Sequence, residues 1–176
     1  MEPHHLFTFP SSLDHYTAEA FALRCFDDRF SGAFREFIRK KGFQHIDLES
    51  VAGGLKILAS PEKESDQDFM LRELEKSIRL HRTRCALLFS HHDCGAYGGL
   101  ARFGGDRDVE LSFHLSEHEK AISIVCKRFP GLRVETYFID GEGIVKIRPS
   151  ENSKNDPKHH SRPHFHEGKL QRESSK

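Results

Sequence analysis

Cys25, His91 and Cys94 carry donor atoms of the kind that hold a borderline-soft metal ion. Cys25 opens the run Cys25-Phe26-Asp27-Asp28-Arg29, and the other two fall in His91-His92-Asp93-Cys94-Gly95. Two thiolates and one imidazole suit zinc, which takes Cys and His in tetrahedral geometry. Three protein ligands leave a fourth position for water or a carboxylate, and this separates a catalytic zinc from a structural one. Zinc can lower the pKa of a water molecule to about 7. The resulting nucleophile would attack a small electrophilic carbon. Thiolates give the metal more charge than imidazoles, so weaker acidification is expected than at a three-histidine site. Asp27 lies two residues past Cys25, so in extended chain the two share a face. Arg29 continues that alternation and could clamp Asp27 in a bidentate pair. Asp27 then either orients the water or becomes the fourth ligand.

Each motif follows an apolar run, Ala20-Phe21-Ala22-Leu23 and Cys85-Ala86-Leu87-Leu88-Phe89. Each precedes small or glycine residues and then a helical pattern. That is the order of a parallel α/β sheet, whose strand ends converge on one crevice. The pattern predicts strands over 21–26, 43–48, 84–90, 132–139 and 144–147. It predicts helices over 31–41, with Ser31 as N-cap, over 66–81, and over 110–129, where Leu111, Leu115, Ala121, Ile122, Val125 and Phe129 would face the core. Asp140-Gly141-Glu142-Gly143 turns the last two strands into an antiparallel hairpin. The expected fold is therefore α/β: a mostly parallel sheet of about four strands flanked by helices, with an antiparallel C-terminal strand. Gly53 and Gly54 form a turn where backbone could approach a ligand closely.

The 176 residues suffice for one domain with a real core. Lys plus Arg and Asp plus Glu both total 27, so bulk charge favours neither nucleic acid nor an anionic membrane. No apolar run is long enough to cross a bilayer and no signal-peptide core opens the chain, so a cytoplasmic protein is expected. The expected organisation is an N-terminal arm over 1–19, a zinc domain over 20–148 and a disordered polar tail over 149–176. Of the remaining cysteines, Cys85 and Cys126 sit in apolar patterns and are expected to be small buried hydrophobes. Cys25 and Cys94 are not a Cys-x-x-Cys pair, which argues against a redox dithiol.

Cys25-x-Asp27-x-Arg29, the Ala52-Gly53-Gly54 turn and His91-x-x-Cys94-Gly95, in that order, resemble the signature of β-class carbonic anhydrases. The resemblance spans roughly residues 20–147. It implies a zinc held by Cys25, His91 and Cys94, and reversible hydration of carbon dioxide to bicarbonate. It makes Asp27 and Arg29 the catalytic dyad, with Asp27 able to move onto zinc and shut the site when the pair breaks. Gly53, Gly54 and Gly95 would shape the pocket. Asp93 would be a partner to the ligands, and His92 an exposed histidine. Family members assemble as homodimers or higher oligomers, with Phe7, Phe9, Phe26 and Phe30 as candidate interface or pocket walls. Departures from the family pattern are Asp28, where a small residue is common, and Glu49-Ser50-Val51, where an Arg-Asn pair is frequent. The chain resembles a divergent, minimal member. Two alternatives follow from that divergence: a non-catalytic zinc-binding homologue acting as an interaction module, and a carbon disulfide or carbonyl sulfide hydrolase on the same scaffold.

Overall fold

The computed structural model describes residues 4–147, so the expected polar tail and its histidines lie outside the described residues. Alternating apolar residues build the sheet. Strand β1 (Ala20–Arg24) points Phe21 and Leu23 to one face and Ala20 and Ala22 to the other. Strand β3 (Cys85–His91) does the same with Ala86 and Leu88 against Cys85, Leu87 and Phe89. Every residue of β3 is buried, as expected of a central parallel strand covered on both faces.

The five strands lie in the order β2-β1-β3-β4-β5, where β2 is Ile46–Ser50, β4 is Arg133–Ile139 and β5 is Ile144–Ile147. The pairs β1/β2, β1/β3 and β3/β4 are parallel, and β4/β5 is antiparallel. Helix α1 (Ser31–Lys40) covers one face with Phe34 and Phe37. The short α2 (Lys56–Ala59), α3 (Glu64–His81) and α4 (Arg107–Arg128) cover the other. The chain leaves β1 for β2 on one side and returns to β3 on the other. The switch point, where open α/β sheets hold their ligands, therefore falls between the carboxyl ends of β1 and β3.

Several local expectations change. The second strand runs over 46–50 instead of 43–48, because Phe43 packs beneath the sheet and Gln44 and His45 give their backbone N–H groups to the Glu19 carboxylate. Ser31 does not cap α1; it is buried and its hydroxyl accepts a hydrogen bond from the Arg24 guanidinium at 3.0 Å. Cys126 is exposed, since α4 turns it away from the sheet.

Helix α4 differs most from expectation. Its buried face is Glu110, His114, Glu117, His118, Ala121 and Val125. Leu115 is 39% exposed, and Leu111 and Ile122 are only half-buried. The C-terminal half of the helix packs its aliphatic residues on the sheet as expected. The N-terminal half instead turns a stripe of titratable residues inward, at spacings of four, three and one, toward the end of β3 and the turn that follows it.

Candidate metal centre

Cys25 is the first residue past β1, and His91 is the last residue of β3. Cys94 follows three residues later, after a turn that passes through Asp93 in the left-handed region at φ 54°. Their sulfur and imidazole ligand atoms all lie within 4.8 Å of one another, and all three residues are buried. The two strand ends flanking the switch point thus bring together residues 66 positions apart in sequence.

The protein's own hydrogen bonds prepare each donor. The Gly53 N–H points at Cys25 Sγ at 3.3 Å. The two sulfurs lie side by side, and each acts on the other: the Cys25 thiol is held far below its ordinary value by Cys94, and the Cys94 thiol is pushed up by Cys25 and by burial. Burial alone would depress the His91 imidazole, but the neighbouring Cys25 sulfur and the His92 carbonyl outweigh it and raise the group. His91 Nδ1 lies 2.8 Å from the His92 carbonyl oxygen and donates to it, which leaves Nε2 as the bare nitrogen. That Nε2 is buried and has no hydrogen-bond partner. A buried, unpaired imidazole nitrogen is costly unless something binds it. Two thiols and that nitrogen are the donor set zinc prefers, and three protein donors are the number at a catalytic site. The residues fit the metal.

Asp27 lies beside the cluster, its Oδ2 4.0 Å from His91 Nε2. Extended geometry does not carry the chain on to Arg29 as the alternation predicts. Asp28–Phe30 form a 3₁₀ turn that Asp27 caps, its Oδ1 accepting the Arg29 N–H at 3.0 Å. The turn swings the guanidinium back over the carboxylate, with Nη2 2.7 Å from Oδ2 and Nε 3.1 Å from both oxygens. The Arg29 pairing holds the Asp27 carboxyl below its usual range against the opposing effect of burial. Arg29 also donates from Nη1 to Asp93 Oδ2 at 3.1 Å and from Nη2 to the Asp93 carbonyl at 3.0 Å. One guanidinium therefore ties the two motifs together. Asp28 faces solvent.

The predicted glycines divide. Gly54 has φ 59°, and a Cβ there would sit 2.5 Å from the Phe89 carbonyl oxygen and 2.8 Å from Cys25 N. Gly53, at φ 76°, would place a Cβ 2.7 Å from Lys56 Cβ. Gly95 has open space around it and no strained dihedral, so nothing there requires glycine. Of the four phenylalanines, only Phe30 reaches the site, its ring 4.8 Å from that of His91. Phe26 is 63% exposed, and Phe7 and Phe9 are exposed and stack on each other.

Sequence reasoning missed the residues behind the cluster. Tyr97 and Phe113 pack against the thiols, and the Tyr97 hydroxyl donates to Glu117 at 3.1 Å. His92, expected to be exposed, is half-buried, and its Nδ1 lies 2.5 Å from Glu110 Oε2. The 110, 114, 117, 118 spacing on one helical face was the available signal, and the apolar pattern overshadowed it.

The family described as “Putative carbonic anhydrase” matches residues 16–147. The chain belongs to this carbonic anhydrase family. No individually curated protein matches it in sequence. Among solved structures it is similar to the β-carbonic anhydrase isoform I of Trichomonas vaginalis, at 13% identity and a TM-score of 0.52, covering 80% of this chain and 87% of that one. It is similar also to a carbonic anhydrase from Glaciozyma antarctica, at 17% identity and a TM-score of 0.51, covering 78% and 86%. At such identities the structures speak for the shared fold, a parallel sheet with an antiparallel final strand. Within the matched residues, the two cysteine motifs converge on the Cys25-His91-Cys94 cluster.

Proposed function

We propose that this carbonic anhydrase family member catalyses zinc-dependent, reversible hydration of carbon dioxide to bicarbonate and a proton. The observation that carries the reading is the convergence of Cys25, His91 and Cys94 beside an Asp27 carboxylate that Arg29 holds off them. When bound, zinc supplies the Lewis acidity that makes water nucleophilic near neutral pH. The rest falls to the chain. Cys25 and Cys94 would hold the ion through Sγ, and His91 through Nε2. Asp27 stays ionised at neutral pH, because Arg29 stabilises its charge, and accepts a hydrogen bond from the attacking water. That bond aims the water's lone pair at the carbon of the substrate. Arg29 fixes Asp27 in this role, and Asp93 fixes Arg29. Gly53 and Gly54 let the backbone come close enough for the Gly53 N–H to reach the Cys25 sulfur. The proposal includes a homodimer or higher assembly and a cytoplasmic location; among the described residues no helix is long and apolar enough to cross a membrane.

Stopped-flow hydration of carbon dioxide, with zinc-loaded wild type beside Cys94→Ser, tests the activity. A zinc-dependent rate that Cys94→Ser abolishes is expected. A wild type that binds zinc and shows no rate above buffer would move the chain to the non-catalytic zinc-binding reading.

A further inference from the structure

We propose that Glu110 is a positioning residue for the metal centre, its carboxylate fixing the orientation of the His92–Asp93 peptide and thereby both the His91 tautomer and the anchorage of Arg29. This rests on the reading of Cys25, His91 and Cys94 as metal ligands. Glu110 lies one turn into α4 and is 1% exposed. Its Oε1 accepts the Asp93 N–H at 2.7 Å, and its Oε2 lies 2.5 Å from His92 Nδ1. The same peptide unit carries the His92 carbonyl, which accepts the His91 Nδ1–H at 2.8 Å. A trans peptide points its N–H and C=O in opposite directions, so holding one end sets the other. With the N–H turned to Glu110, the carbonyl must face His91. The imidazole proton is then kept on Nδ1, and the Nε2 lone pair is left for the metal.

The second branch runs through Asp93. Its backbone sits at φ 54°, a conformation that persists only where surrounding bonds hold it. Glu110 supplies one such bond, and the Leu100 N–H, donating to Asp93 Oδ1 at 2.9 Å, supplies another. So placed, Asp93 receives Arg29 through both Oδ2 and its carbonyl, and Arg29 in turn holds Asp27. Burying a carboxylate is costly unless it is fully hydrogen-bonded. Here a backbone N–H, an imidazole and the nearby N-terminus of α4 offset that cost. The geometry makes reach the property that matters, more than charge.

Reach and charge can be separated in the full-length chain. Glu110→Asp keeps the charge but withdraws the carboxylate by one methylene. Glu110→Gln keeps the reach and an acceptor for the Asp93 N–H but loses the charge. Zinc affinity would be measured by competition with a chromogenic chelator, and coordination by the absorption spectrum of the cobalt(II) form. Glu110→Asp should bind zinc about 10–100-fold more weakly and change the cobalt spectrum, while Glu110→Gln should stay within about threefold of wild type with an unchanged spectrum. A Glu110→Asp protein with wild-type affinity and spectrum, or a Glu110→Gln protein as impaired as Glu110→Asp, overturns the proposal. A second measurement needs no variant: in ¹⁵N-labelled, zinc-loaded wild type the His91 ring proton should lie on Nδ1, and finding it on Nε2 overturns the proposal equally. Wild type that binds no zinc at all would instead overturn the metal reading on which the proposal stands.

Discussion

Asp27 Oδ2 and His91 Nε2 lie 4.0 Å apart, yet the carboxylate is bonded to Arg29 at 2.7 Å and not to the imidazole. Asp27 thus lies beside the cluster, and the guanidinium holds it away. Arg29→Ala should therefore let Asp27 become the fourth ligand. Hydration kcat is expected to fall about 10²-fold, from misplacement of a single orienting group, with zinc still bound. Arg29→Lys should recover little, because an ammonium cannot reproduce the planar two-oxygen contact. Stopped-flow rates together with zinc content check this, and full activity in Arg29→Ala would refute the clamp.

The glycines of the turn make a paired prediction. A Cβ at Gly54 meets backbone atoms of both strand ends that carry the site, and its dihedral is left-handed. Gly54→Ala should destabilise the fold by about 3 kcal/mol and reduce zinc binding, through strain that side-chain rotation cannot relieve. Gly95→Ala, with open space and ordinary dihedrals, should stay within about 0.5 kcal/mol of wild type. Urea unfolding of the two variants compares them directly, and equal losses would mean that the close approach at Gly54 is not what glycine serves.

His114 and His118 predict an acid-sensitive fold. Burial pushes the His114 imidazole down to about 4 and the His118 imidazole down to about 3, from an ordinary value of 6.5. The Glu117 carboxylate favours the charged form of both, and burial outweighs it. Below pH 6.5 the unfolded chain takes up protons at these positions that the folded chain refuses. Their contribution is thus complete above about pH 6.5 and is lost progressively as pH falls, toward about 4 for His114 and about 3 for His118. Stability by urea unfolding should drop by a few kcal/mol across that window, and His118→Gln should flatten part of the slope. A curve that stays level down to pH 4.5 would contradict the assignment of these groups as buried neutral bases.

The centre of the sheet and the cluster itself were legible because they rest on strong local signals. The runs ending at Leu23 and Phe89 could only be buried strands. Cys25, His91 and Cys94 sit where parallel strand ends must meet. The N-terminal half of α4 was not legible. Its leucines, Leu111 and Leu115, offered a plausible apolar face, and hydrophobic patterning prefers them inward. The helix instead buries Glu110, which accepts from the 91–94 turn, a tertiary demand whose local trace, the 110, 114, 117, 118 spacing, is weaker than the apolar one. Arg29 shows the same limit. The pairing with Asp27 could be read from the spacing, but the second attachment, to Asp93, comes from a segment 64 residues away.

The account depends on the cluster binding a metal, and metal content measures that directly. Full-length protein reconstituted with zinc and freed of excess should be analysed by inductively coupled plasma mass spectrometry, beside Cys25→Ser and Cys94→Ser. The expected result is about one zinc per chain in wild type, with loss of tight binding in both variants, since removing a thiolate ligand from such a site removes much of its affinity. A wild-type chain that retains no stoichiometric zinc, or serine variants that retain as much as wild type, would contradict it.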